Sequence, residues 1–136
     1  MIVADANLLV YLLVSGPLTP VALRVRAREK IWVVPSLTSH ELLNVLARHV
    51  ARGDIQRDEA ARAWRRAFSM VEVSVLRPDP IAILNMAEQS NCSTYDLEYV
   101  WLARELDLPL VTADTELLKA YPAIAVSLEN FAAGAR

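Results

Sequence analysis

The 136-residue sequence is poor in cysteine and glycine, with one cysteine and three glycines. A single cysteine excludes an intrachain disulfide, and Cys92 is assigned no chemistry because lone cysteines usually pack as small apolar side chains. The hydrophobic fraction of 54%, with only three glycines and seven prolines, argues against a disordered chain. The length suits a single domain of residues 1–136.

Long apolar stretches without a charge are also missing, so the sequence predicts no membrane span. The first basic residue is Arg24, and Asp5 interrupts the N-terminal apolar run, which argues against a secretory signal peptide. We therefore expect a cytoplasmic protein with no membrane partner. A Walker A loop and a G-x-G-x-x-G turn are absent, so nucleotide cofactors are not expected. Without a G-x-S-x-G elbow, the adjacent Ser39 and His40 do not indicate a hydrolase triad, because neighbouring helical residues point in different directions.

Charge is distributed unevenly along the chain. The segment from Arg24 to Arg66 has ten basic and five acidic residues, whereas the remainder has four basic and eleven acidic residues. This basic segment could face a polyanion, or its arginines could simply form solvated helix faces. The acidic residues of the remainder need a separate explanation.

Five short β-rich runs alternate mainly with segments of helical apolar spacing. The runs are MIVA, IWVV, VEVSV, LPLVT and AIAVSL. A first helix follows MIVA, and the other helical segments are TPVALRVRARE, SLTSHELLNVLARHVARG, RDEAARAWRRAF, DPIAILNMAEQS, STYDLEYVWLAREL and DTELLKAY. Thr19 is the predicted N-cap of the first of these six, with Pro20 first in the helix, and Gly53 ends the second. This order predicts an α/β fold with a mostly parallel five-stranded sheet covered by helices.

Four acidic residues occupy related places in this scheme. Asp5 ends the first strand, Glu41 lies early in the helix after the second, Asp96 opens a late helix, and Asp114 follows LVT. In an open parallel sheet, the carboxyl ends of the strands share one edge, where ligands usually bind. We therefore expect these four carboxylates to converge.

Helix capping is the alternative explanation for each acid. Thr38 and Ser93 each precede one of the acids by three residues, as in capping boxes, and the other two acids could be N-caps. Capping does not explain why all four fall where a parallel sheet would bring them together. Nor does it require Asn7, which lies inside the first predicted helix, where asparagine is unfavourable. The set as a whole favours a shared site.

Carboxylates and an amide, without clustered cysteine or histidine, suit a hard divalent cation such as Mg²⁺ or Mn²⁺. Such a cation polarises a phosphoryl oxygen and lowers the pKa of bound water. The sequence therefore indicates hydrolysis of phosphodiester bonds.

The same segments resemble the PIN-domain ribonucleases and, among them, the VapC-type toxins of toxin–antitoxin systems. The matching pieces are IVADANLLVYLL with Asp5 and Asn7, VPSLTSHELLNVLAR with Glu41, and STYDLEYVWLARELDLPLVTAD with Asp96, Thr112 and Asp114. They cover nearly the whole chain in order. The resemblance implies a three-layer α/β/α fold and Mg²⁺- or Mn²⁺-dependent endoribonuclease cleavage of single-stranded or loop RNA. It also implies a homodimer and a cognate antitoxin whose tail presents an arginine to the carboxylates.

Within this resemblance the four acids are the catalytic metal ligands, and Asn7 and Thr112 have supporting roles. Glu98, His40 and Tyr95 are open between a place at the edge of the site and ordinary exposure. Three other functions are considered: a phosphoaspartyl enzyme, an RNA-processing nuclease outside a toxin–antitoxin pair, and a non-catalytic protein-binding module of the same fold. The phosphoaspartyl interpretation is disfavoured, because Asn7 stands where the second acid should be and LVTAD supplies no lysine.

Overall fold

A computed structural model describes all residues, 1–136. Its five strands are β1 Ile2–Ala4, β2 Trp32–Val34, β3 Glu72–Val73, β4 Leu110–Val111 and β5 Ala125–Val126. The eight helices are α1 Ala6–Leu13, α2 Thr19–Arg28, α3 Thr38–Ala51, α4 Arg57–Met70, α5 Pro80–Glu88, α6 Thr94–Leu106, α7 Thr115–Ala120 and α8 Leu128–Ala132. No helix is both long and apolar enough to cross a membrane.

The strands form one sheet in the order β3-β2-β1-β4-β5, and every neighbouring pair is parallel. Val3 of β1 pairs with Val33 of β2 on one side and with Leu110 of β4 on the other. The chain builds β2 and β3 outward from β1 and then returns to add β4 and β5 on the opposite side. The order therefore reverses between β1 and β4, the kind of position where open α/β sheets bind ligands.

Helices cover both faces of the sheet, which gives the three layers that the family resemblance implied. Alternation along β1 directs Ile2 and Ala4 to one face and Val3 to the other. The first two pack in the larger core, with α1–α4 and α8, and Val3 packs in the second core, with α5–α7. Buried strands with both faces covered explain the continuous apolar runs in the sequence.

Several helix ends differ from the prediction. The N-cap of α2 is Leu18, and Thr19 is the first helical residue, with its hydroxyl donating to the Tyr11 carbonyl at 2.6 Å. Thr38 is likewise inside α3, without a capping bond, so the predicted capping box with Glu41 is wrong. The short helix α8 was not predicted, because the apolar run AIAVSL reads as strand through its first residue. Gly53 follows the C-cap of α3 with φ of 80°, as expected for a glycine that stops a helix.

Candidate metal-dependent active site

Asp5 lies directly after β1 at the point where the strand order reverses. It is the N-cap of α1, and its Oδ1 accepts a hydrogen bond from the Asn7 amide at 3.2 Å. Its Oδ2 accepts a hydrogen bond of 2.6 Å from the Thr112 hydroxyl, which comes from the far side of the reversal. Burial raises the pKa of Asp5 against both of these bonds, and the charges of Asp96 and Asp114 raise it further. Asp5 is thus a helix cap and a member of an acidic cluster at once.

Thr112 connects the ends of β1 and β4. It is fully buried, and while its hydroxyl donates to Asp5 it accepts a bond from the Asp114 amide at 3.0 Å. Asp114 in turn caps α7, accepting hydrogen bonds from the Glu116 and Leu117 amides at 2.8 and 3.1 Å. One hydroxyl therefore fixes one carboxylate directly and the backbone of a second.

Asp96 reaches the cluster from the first turn of α6. Its amide donates to the hydroxyl of the N-cap Ser93 at 3.2 Å, so half of the predicted capping box is present. Burial raises the pKa of Asp96, the Ser93 hydroxyl opposes this, and the charge of Asp114 raises the pKa again. The capping and cluster interpretations therefore both hold at this residue.

Glu41 enters the cluster from the first turn of α3. Burial raises the pKa of Glu41, and the nearby Tyr99 hydroxyl opposes this rise. The charges of Asp5, Asp96 and Glu98 raise the pKa further, to about 7 in all. Its Oε1 is buried and has no hydrogen-bond partner. A buried, unpaired carboxylate oxygen is costly, and such atoms call for a missing ligand, water or proton.

The other candidate residues differ from the four acids in burial and in hydrogen bonding. Asn7 contributes its amide to Asp5, while its carboxamide is exposed and forms no hydrogen bond. Glu98 is half-buried and acts on Glu41 through its charge. His40 and Tyr95 are exposed.

Two tyrosines lie near the site, although the sequence analysis did not assign them to it. The Tyr99 hydroxyl forms a 2.7 Å hydrogen bond with the buried Thr38 hydroxyl, beneath Glu41. Burial raises the pKa of Tyr11, and the charges of Asp5 and Asp114 raise it further. The spacing of Tyr99, three residues after Asp96, was a usable signal because such residues share a helix face.

These residues suit a hard divalent cation that retains part of its hydration. No three Asp, Glu, His or Cys side chains meet closely enough to enclose an ion by themselves. Mg²⁺ typically binds through one or two carboxylates and completes its shell with waters and substrate phosphate, which matches such an open arrangement. The unpaired Glu41 Oε1 and the raised carboxyl pKa values are the features that a bound cation would relieve.

Part of the basic segment is used within the chain. The Arg28 guanidinium donates to the carbonyls of Phe131, Gly134 and Ala135 at the end of α8. Arg26 lies over the Trp32 ring at 5.1 Å. These two arginines have structural roles, and the polyanion interpretation of the segment rests on the others.

The comparisons agree with this architecture. The model of the PIN domain family matches residues 2–122. The crystal structure of PAE2754 from Pyrobaculum aerophilum is similar in fold, with a TM-score of 0.78 over 96% of this chain and 91% of that chain. The two sequences are 23% identical, so this likeness concerns the fold alone. No curated protein matches the sequence significantly.

Proposed function

Because the chain belongs to the PIN domain family, which has a nuclease fold, we propose that it is an Mg²⁺- or Mn²⁺-dependent endoribonuclease. The observation that carries the proposal is that acids from separate segments lie near the reversal of the strand order, close enough for the charges of Asp96 and Asp114 to raise the pKa of Asp5 and for the charges of Asp5 and Asp96 to raise that of Glu41. Each acid comes from a different part of the sequence, and the repulsion between their negative charges is unfavourable without a cation. A purely structural protein would not need such an arrangement.

The roles of the chain's residues follow from their surroundings. Asp5, Asp96 and Asp114 are the principal residues that would hold the cation, which when bound polarises the scissile phosphate and stabilises the leaving oxygen. Thr112 holds the Asp5 carboxylate in one orientation through its 2.6 Å hydrogen bond. Glu41, with a pKa near 7, is suited either to bind a second cation or to orient a water molecule and accept its proton.

We further propose that the chain is the toxin of a toxin–antitoxin pair. The ordered VapC-like segments support this, as does an acidic cluster that an arginine of an antitoxin tail could neutralise. The exposed arginines of the basic segment would contribute to the surface that binds the antitoxin. A small upstream reading frame encoding a DNA-binding fold with a basic tail is the expected genomic context, whereas an isolated gene would favour an RNA-processing nuclease.

A homodimer is also proposed, through the sheet edge and the helix beside it. Val75 is 91% exposed and Ile81 is 65% exposed, and Leu84 lies on the same helix as Ile81 at 54% exposure. Apolar exposure of this kind near an edge strand is typical of an interface. Light scattering should give the mass of a dimer for the parent and of a monomer for Leu84→Glu.

RNA cleavage tests the enzymatic proposal. Protein purified without antitoxin should cleave single-stranded RNA in the presence of Mg²⁺ or Mn²⁺. Addition of EDTA should stop the cleavage. Asp5→Asn, purified in parallel, should be inactive although asparagine preserves the helix cap, which controls for contaminating ribonuclease. Cleavage that is indifferent to EDTA and to this substitution would contradict the proposal.

A further inference from the structure

A cavity of about 590 Å³ lies beside the acidic cluster at the carboxyl edge of the sheet. Its wall comes from the loops that follow β2 and β3, from the first turn of α3 and from one residue of α6. Ser36, Ser39 and His40 provide polar groups in the lining, and Arg77 and Glu98 provide a pair of opposite charges. The volume falls in the range of ordinary small-ligand sites.

Arg77 is the cation of this cavity and is not used elsewhere in the chain. It is exposed and forms no salt bridge or hydrogen bond with the protein, unlike Arg28, whose guanidinium donates to three carbonyls. A planar guanidinium with its donors free matches the paired oxygens of a phosphate group. Arg77 is therefore available for an anionic ligand.

Glu98 joins the cavity to the acidic cluster. It lies two residues after Asp96 on α6, while Ser39 and His40 of the same cavity directly precede Glu41 on α3. A ligand in the cavity thus lies beside the parts of α3 and α6 that carry Glu41 and Asp96, and it meets both a cation and an acceptor of hydrogen bonds.

A ribonucleotide has groups that match this combination. Its phosphate needs a cation, and its ribose hydroxyl and base amino groups can donate to a carboxylate or a serine hydroxyl. The carboxylates at this edge of the sheet repel the phosphates of an RNA chain. A nearby positive charge is therefore needed to bind the RNA there. A simple inorganic anion would gain nothing from Glu98.

We propose that this cavity binds the nucleotide beside the scissile phosphate, with Arg77 bonded to the phosphate of that nucleotide. The proposal rests on the proposed ribonuclease function and assigns its RNA a flanking subsite. Arg77 acts here as a substrate-binding residue, outside the group of acids that carry out the reaction. It should act equally on bound substrate and transition state, so its loss should raise KM and leave kcat unchanged.

Binding of a fluorescein-labelled single-stranded RNA in EDTA tests the contact without cleavage. We expect Arg77→Gln to weaken binding about tenfold at low salt, as for the loss of one charge-assisted hydrogen bond. The slope of log K against log[salt] should fall by about 0.7, the value for one phosphate contact in a single strand. Arg77→Lys should restore the slope but only part of the affinity, because lysine keeps the charge and loses the fork.

Arg104→Gln is the matched control. Arg104 is an exposed arginine in the last turn of α6, where it lies over the Tyr121 ring at 5.3 Å, at the opposite end of the helix from Asp96. Its substitution removes the same charge away from the cavity. Thermal melts of both variants verify that each is folded before binding is compared.

The outcomes separate this subsite from the proposed function. If the parent cleaves RNA and Arg77→Gln binds and cleaves as Arg104→Gln does, the subsite is refuted and the nuclease stands. If binding depends on Arg77 but no cleavage occurs with any divalent metal, the nuclease is refuted, and Arg77 is shown to contact RNA without flanking a scissile phosphate. A parent that does not bind RNA refutes the subsite.

Discussion

Replacing Glu41 by glutamine should stabilise the metal-free protein at alkaline pH. The Glu41 pKa is about 7 in the folded chain, compared with an ordinary value of 4.5. Each pKa unit corresponds to about 1.4 kcal/mol, so the shift represents about 3 kcal/mol before solvent screening. Because Glu41 is only half-buried, screening should reduce this to about 1 to 2 kcal/mol. Glutamine has nearly the same shape and carries no charge that could be repelled.

The sign of the effect depends on pH in a defined way. A carboxyl group whose pKa is raised by folding favours the folded state at low pH, and this advantage is lost as pH rises to the folded pKa. The penalty on the parent is therefore absent below about pH 4.5, grows from there to about pH 7, and is constant above it. Glu41→Gln should match the parent at pH 4.5 and exceed its stability at pH 8.

Thermal unfolding in EDTA at the two pH values measures this difference. A gain of 1 to 2 kcal/mol in a chain of this length corresponds to a Tm about 3 to 8 °C higher at pH 8. Glu105→Gln, at an exposed position of α6 away from the acids, is the control for losing one negative charge. If Glu41→Gln is less stable than the parent at pH 8, or if its gain is the same at pH 4.5, the crowding of the carboxylates is refuted.

Three further substitutions test individual contacts of the site. Asp96→Asn should be as stable as the parent or more stable in EDTA, and Mg²⁺ should raise the Tm of the parent much more than that of the variant; equal destabilisation in both conditions, with RNA cleavage retained, would reduce Asp96 to a capping role. Thr112→Val should lower the unfolding free energy by about 1.5 to 3 kcal/mol because it removes the hydrogen bond to the Asp5 carboxylate, whereas Thr112→Ser should retain most of it in urea titrations. Thr38→Val leaves the Tyr99 hydroxyl without its 2.7 Å partner and should cost about 1 to 3 kcal/mol by the same measurement; no loss would show that the hydroxyl finds another partner.

The sheet and its direction were predictable because each strand is short, apolar and separated from the next by a helical segment. The predicted runs are longer than the strands, most clearly at β3. Only Glu72 and Val73 of the run VEVSV belong to the strand, and Val75 is 91% exposed. An edge strand has a partner on one side alone, and its last bond to β2 is the one from the Ser74 amide to the Val34 carbonyl at 2.8 Å.

Local capping patterns were less informative than the spacing of strands and acids. Asp5 and Asp114 are true N-caps, yet the Thr38 pattern failed because that hydroxyl is buried against Tyr99. The helix after β5 was hidden because its first residue continues an apolar run, although Ser127 caps it by accepting from the Asn130 amide at 3.2 Å. These outcomes depend on tertiary packing, which the order of residues in one segment does not reveal.

The sequence predicts the positions of the four acids from the topology of the sheet, but it does not predict the hydrogen bonds that link them. The hydrogen bond from Thr112 to Asp5 joins residues that are 107 positions apart. The burial of the unpaired Glu41 Oε1 depends on how deeply the first turn of α3 lies in the protein. Arg77 carried no local signal at all, since its importance comes from a cavity formed by separate segments.

The most direct test of the central claim is a titration of the metal-free protein with Mn²⁺, with the unbound ion followed by electron paramagnetic resonance. The parent and Glu105→Gln should remove Mn²⁺ from solution, and Asp5→Asn and Asp114→Asn should bind it far more weakly while still melting cooperatively. Mn²⁺ binding that is equal in the parent and in both folded aspartate variants would contradict a metal site built on these carboxylates.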